Sequence, residues 1–296
     1  MKFFKSFNFK GGIFKKTGGE KEMEKVKKFL KSAAKVATIG SLSMVLSCAE
    51  NKIVHRPQII ALPKSEIMAI GDEATARVLS KYPVVKSGPE VKLVKEVFEK
   101  LLSALPEKYR SNYEWKIYVL KSPQVNAFAL PNGNIFVYTG LLKFINGNPD
   151  ELAAVLGHEM AHMILKHGAE KVQTAMLAQL GEQLILSKVS PSHRQLAAEL
   201  YNLGVGVAIL LPYSRRQERE ADLLGLIIML RAGYNPDGAI KLWKKMVSQF
   251  QTKEPPEWLS DHPANEERLR YIERAIEYLR SHPQYIREFI VPKELL

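Results

Sequence analysis

The chain of 296 residues has one cysteine, Cys48. A single thiol excludes an intramolecular disulfide and any zinc site built on two or more cysteines. Long apolar runs are missing as well, since no stretch reaches the ~18 consecutive apolar residues of a membrane-spanning helix. The nearest, "LGVGVAILLP" at 203–212, is broken by Gly204 and Gly206 and closed by Pro212, and reads as a buried or membrane-facing helix, the core being favoured. Acidic charge is scarce, 31 Asp and Glu against 43 Lys and Arg. The excess is local: residues 1–47 hold eleven Lys and three Glu, whereas the rest holds 32 basic against 28 acidic residues. That remainder is a mixed, solvated surface without a basic stripe carrying interleaved aromatics, so nucleic acid is not an expected partner.

What is present is an ordinary globular composition, 46% apolar and 25% charged, long enough to bury a sizeable core in one domain. The first 47 residues read as a leader and signal peptide. A basic segment precedes an apolar run from Val36 to Leu46, then Ser47-Cys48. Counted from Met23 the leader has an ordinary length, which favours Met23 as the start. The stretch "VLSC" resembles a bacterial lipobox, making Cys48 the expected lipidated residue; a plain signal peptide or an amphipathic anchor is the alternative. Residues 48–63 then read as a lipid-anchored tether and 64–296 as the folded domain.

Within that domain, "SEIMAIGDEATARVLSKY" and "PEVKLVKEVFEKLLSAL" show helical apolar spacing, with Ser65 and Pro89 near their starts. "YEWKIYVL" (113–120) and "NIFVYTG" (134–140) have strand composition, separated by a turn at Pro131-Asn132-Gly133. Helices follow: one opening at Asn148-Pro149-Asp150, then roughly 170–187, 192–211, 215–232, 236–250 and 264–280. The expected fold class is α+β, predominantly helical, with a small sheet.

The chemistry lies in "AAVLGHEMAHMILKH" (153–167). Helix positions i and i+4 share a face, so His158 and His162 can bind one zinc ion while Glu159, beside the metal, takes a proton from water. Asp150 is the expected N-terminal cap of this helix. A continuous helix turns His167 to the side opposite His158, which excludes it as a ligand and leaves it as a C-terminal residue favourable to the helix dipole. The metzincin pattern is absent too, since Leu165 and Gly168 stand where that pattern has glycine and histidine. A third ligand is therefore expected from another helix. "SRRQEREADLLG" (214–225) offers Glu218 and Asp222 at i and i+4. One carboxylate would bind the metal and the other a ligand histidine's free N–H. The alternative is a solvated face on which Arg215, Arg216 and Arg219 pair the acids.

With "NAFALPNGNIFVYTGLL" ahead of them, HExxH and E-x-x-A-D some 55 residues later resemble the gluzincin metallopeptidase family of the CAAX prenyl endopeptidase and HtpX. The similarity is greatest to its soluble-domain branch of bacterial envelope proteases, LoiP and BepA. The resemblance covers roughly residues 65–280. It implies a zincin fold with one zinc held by His158, His162 and Glu218, Glu159 as catalytic base and Asp222 supporting a ligand histidine. It further implies an extracytoplasmic, membrane-anchored endopeptidase, on the outer membrane where there is one, acting on misfolded or unassembled envelope proteins. The rival is a zinc-binding chaperone with a latched or idle site. The segment "SDHPANEERL" (260–269) resembles one from which a family histidine approaches the metal. His262 is thus a candidate fourth ligand or oxyanion stabiliser, or part of a turn opening the next helix. The strand before the zinc helix is a candidate edge for an extended peptide, with Asn126 at its approach a substrate-binding candidate or an ordinary turn residue.

Overall fold

The computed structural model describes residues 48–60, 62–171, 173, 214–250, 256, 258–259, 262–263 and 265–296. The leader, the 192–211 helix and most of the 170–187 helix lie outside the described residues.

Cys48–Asn51 (β1) and Arg56–Ile59 (β2) pair antiparallel as a hairpin. Within the segment 48–63 this hairpin packs into the domain. Ile53 and Val54 at its turn are buried in the main core, and Ile53 O accepts from Val291 N. Gln58 Nε2 donates to the Leu165 carbonyl at 2.7 Å.

Lys64–Lys81 (α1) begins directly after Pro63, and Pro89–Ser103 (α2) carries Pro89 in its first turn. Val91, Val94, Val97, Phe98 and Leu101 form the buried stripe of α2, at the 3–4 spacing of an amphipathic helix. After the short Glu107–Arg110 (α3) come Lys116–Leu120 (β3), Ala127–Ala129 (β4) and Asn134–Tyr138 (β5). Their order is β3-β5-β4, with β5 parallel to β3 and antiparallel to β4. The strand expected at 134–140 is thus the central one, buried at every residue. The outer strands are β3 and β4, and β4 lies inside a segment the sequence marks mainly as a turn. Gly133 closes the β4–β5 connection at φ +97°, and a Cβ there would lie 2.9 Å from Tyr113 Cβ.

Thr139–Phe144 (α4) leads to Pro149–Ile164 (α5), buried at every position from Glu151 to Ile164. A helix apolar on all sides belongs at the centre of the core. Its cap is Asn148 rather than Asp150. Pro149 occupies the first helical position, and Asn148 Oδ1 accepts from the N–H groups of Asp150 and Glu151, both at 3.0 Å. The Asp150 carboxylate instead accepts from Asn235 N.

Arg215–Arg231 (α6) opens with a Ser214/Gln217 capping box and, among the described helices, packs most extensively on α5. Glycines allow this approach: a Cβ on Gly225 would stand 3.0 Å from His158 N, and one on Gly157 3.0 Å from Gly225 O. Asp237–Phe250 (α7), Glu266–Ser281 (α8) and Pro283–Glu288 (α9) complete the helical layer. The fold is predominantly helical α+β. Among the described residues no helix is long and apolar enough to cross a membrane.

Candidate metal centre

His158 and His162 stand one turn apart on α5, with their Nε2 atoms 3.0 Å from each other. Glu218, in the first turn of α6, brings Oε1 to 3.4 Å from His162 Nε2 and Oε2 to 3.5 Å from His158 Nε2. His262, just ahead of α8, places Nδ1 3.1 Å from His158 Nε2 and 2.9 Å from Glu218 Oε1. All four residues are buried, and one ligand atom from each lies within 4.8 Å of the others. Donors ~2.0–2.2 Å from a tetrahedral zinc stand roughly 3.3 Å apart, so these spacings fit a single ion. Crowded lone pairs of this kind repel one another unless a cation sits among them.

Glu159 lies against this group. Its Oε2 accepts from Ala129 N at 3.2 Å and its Oε1 from Trp258 Nε1 at 3.3 Å, while His262 Nε2 is 3.5 Å from Oε1. One turn beyond Glu218, Asp222 brings Oδ1 to 3.1 Å from His158 Nδ1, the ring nitrogen turned away from the donor group.

Residues 90–276 match the model of peptidase family M48. The chain belongs to that family. It is 38% identical over 164 residues to mitochondrial metalloendopeptidase OMA1 of Schizosaccharomyces pombe, 55% of this chain and 47% of that protein. It is 28% identical over 226 residues to metalloprotease LoiP of Escherichia coli, covering 73% and 82% of the two chains. To the beta-barrel assembly-enhancing protease of Yersinia pestis it is 29% identical over 175 residues, 56% of this chain and 35% of that one. The chain spans a third to a half of the length of the first OMA1 relatives it matches.

The cofactor of this M48 centre is one zinc ion, which suits a donor set of imidazole nitrogens and a carboxylate oxygen. The residues around it are strongly polarised. Burial works against charge on His158, yet Asp222 and Glu218 raise its pKa to about 9 in the metal-free site. Burial, aided by the neighbouring His158 and His167 and opposed by Glu218, holds His162 well below the usual histidine range. Glu218 is buried too, but His262 and Arg268 keep it ionised well below the carboxylate range. Burial pushes Glu159 up.

The sequence gives no signal for Arg268 at this centre. From α8 its Nε and Nη2 donate to Asp222 at 2.8 and 2.7 Å, Nη1 lies 2.8 Å from Glu218 Oε2, and the guanidinium sits 3.8 Å above the Trp243 ring. Two carboxylates at i and i+4 do require a cation when buried. The nearest candidates in sequence, Arg215, Arg216 and Arg219, are not the ones that meet this pair; the cation comes from a distant helix. Trp258 is equally silent in the sequence, because its role depends on a contact with Glu159, 99 residues away in the chain.

His167 is corrected. Its assignment to the far side of the helix assumes that the helix continues, but α5 stops at Ile164 and Lys166 takes φ +58°. The turn swings His167 beneath His162, with the two Nδ1 atoms 3.0 Å apart. Asn126 is not among the four donors. It is 2% exposed at the start of β4, and its carbonyl accepts from Tyr138 N. Cys48 opens β1 as the backbone partner of Ile59.

Proposed function

We propose that this protein is a zinc-dependent endopeptidase in which His158, His162 and Glu218 hold the metal, Glu159 is the general base and Asp222 orients His158. The observation that carries the reading is Glu159, buried beside the donor group and hydrogen-bonded to the outer edge of β4. Zinc, when bound, supplies a Lewis acid that polarises a scissile carbonyl and makes water nucleophilic near neutral pH. Glu159 takes the proton of the attacking water and hands it to the leaving amine, roles suited to a carboxylate whose proton affinity burial raises. Leu130 N and Asn126 O bond toward β5. By the alternation of an antiparallel ladder, Ala127 then presents its N–H and C=O outward and Ala129 its C=O, its N–H being taken by Glu159, and an extended peptide adds there as a further strand. Asn126 supports that edge from behind.

The same reading places the protein outside the cytoplasm, anchored on the periplasmic side through lipid on Cys48. The anchoring membrane is the outer one where present, and the substrates are misfolded or unassembled envelope proteins. Support comes from the "VLSC" stretch and from similarity to LoiP and to a protease named for β-barrel assembly.

A second reading has its own observation. His262 Nδ1 sits among the donor atoms and Trp258 Nε1 donates to Glu159, so Trp258 and His262 cover the centre as a latch. A zinc-binding chaperone with an idle site would look the same. Measuring bound zinc and casein cleavage on the full chain, wild type beside Glu159→Gln, separates the two. Zinc in both with cleavage in the wild type alone supports the peptidase. Zinc in both with cleavage in neither, and none after His262→Ala, supports the chaperone. Absence of zinc from the wild type would overturn both.

A further inference from the structure

The mechanism above leaves a buried polar chain on the other side of His162 without a task. His167 is fully buried, with Nδ1 facing His162 Nδ1 and Nε2 3.0 Å from Glu220 Oε2. Glu220, also fully buried, accepts from Arg56 Nε at 2.7 Å, Arg56 Nη2 at 3.0 Å and Arg216 Nε at 3.0 Å. Arg56 reaches in from β2 and also donates to both oxygens of Glu170, at 2.7 and 2.8 Å. Two guanidiniums therefore face two carboxylates, and the cluster is charge-balanced without a second proton on His167.

The proton positions follow from the partners. A carboxylate that already receives two arginines accepts from His167, so the His167 proton sits on Nε2. Its Nδ1 then carries a lone pair and can only accept from His162 Nδ1–H. With its proton on Nδ1, His162 presents the Nε2 lone pair to the donor group. Were the Glu220 side chain to donate instead, the order would reverse along the chain and His162 would turn an N–H toward the metal position.

We infer that His167 is a positioning residue of the zinc centre, oriented by Glu220 and Arg56, which sets the His162 tautomer and makes the β1–β2 hairpin a working part of that centre. The inference rests on the proposed assignment of His162 as a ligand.

The test uses the full chain, with zinc affinity measured by competition with a chromophoric chelator and melting measured on the metal-free form. His167→Leu, similar in bulk but without an acceptor, is expected to weaken zinc binding roughly 10- to 100-fold. His167→Asn, whose amide oxygen stands where Nδ1 stood, should stay within about threefold of wild type. Glu220→Gln, able to donate to His167, should weaken binding in the direction of the leucine variant. Nitrogen-15 spectra of labelled histidine should show His162 protonated at Nδ1 and His167 at Nε2 in the wild type. Unchanged affinity in His167→Leu, equal losses in the leucine and asparagine variants, or the opposite tautomers would overturn the inference. If His167→Leu does not fold, His167→Asn against Glu220→Gln and the spectra decide it. His162→Ala is the control: zinc binding as tight as wild type there would sink the ligand assignment itself.

Discussion

His158 and His162 lie one turn apart on α5, yet opposite ends of the described chain hold them. Behind His158 stands a carboxylate in direct contact, Asp222, pinned by Arg268 from α8. Behind His162 stands a second imidazole, His167, which passes the contact on to Glu220 and to Arg56 of the N-terminal hairpin. Asp222 and Glu218 together outweigh burial and make His158 basic, whereas burial prevails at His162. Two histidines one turn apart in one helix are thus electronically different, and the difference comes from their supports.

If both rings are ligands, the comparison holds only behind them and vanishes at the metal. Full-chain His158→Ala and His162→Ala should each lose stoichiometric zinc, read by elemental mass spectrometry on purified protein. Retention in one variant alone would mean that His262 replaces that ring and that the supports do not matter.

Next in size is the Arg268 side. Arg268→Met leaves Asp222 and Glu218 buried without their cation, and breaking such a group costs about 3–5 kcal/mol. Denaturant unfolding of the metal-free protein should show that loss, with weaker zinc binding. A change under ~1 kcal/mol would show that the two carboxylates find another partner.

The hairpin side should give the smallest effect. Arg56→Met removes one partner each of Glu170 and Glu220, but Glu220 keeps Arg216 and Glu170 keeps Gln217. The expected cost is about 1–3 kcal/mol in the same unfolding measurement. A cost equal to that of Arg268→Met would erase the asymmetry between the two supports.

Much of the centre is legible before folding because each pair of its residues lies within a single helix. The i, i+4 spacing brings His158 and His162 to one face and separates Glu218 from Asp222 by a turn; neither fact needs tertiary structure. The supports are not legible in this way. Arg268 and Arg56 act 46 and 164 residues from their carboxylate partners. Nothing in their local sequence distinguishes them from the arginines on α6 that reach other partners. The place of His167 is not legible because it depends on where α5 ends, and helix ends are decided by tertiary packing as much as by local signals. The hairpin is not legible for a related reason: "NKIVHRPQI" is short and polar enough to pass for a linker until Ile53 and Val54 find the core.

By itself, then, the amino-acid order determined the helices, the two-histidine face, the paired acids and the strand that became the centre of the sheet. These follow from periodicities of 3.6 and 2 residues, which are local properties of the backbone. Tertiary structure alone decided which charges meet in the interior, that β4 rather than β5 forms the edge, and that His262, Trp258 and His167 converge on α5. Those outcomes come from burying polar groups far apart in the chain. Each must find a partner within hydrogen-bond reach, and only the packed fold sets which partners are within reach.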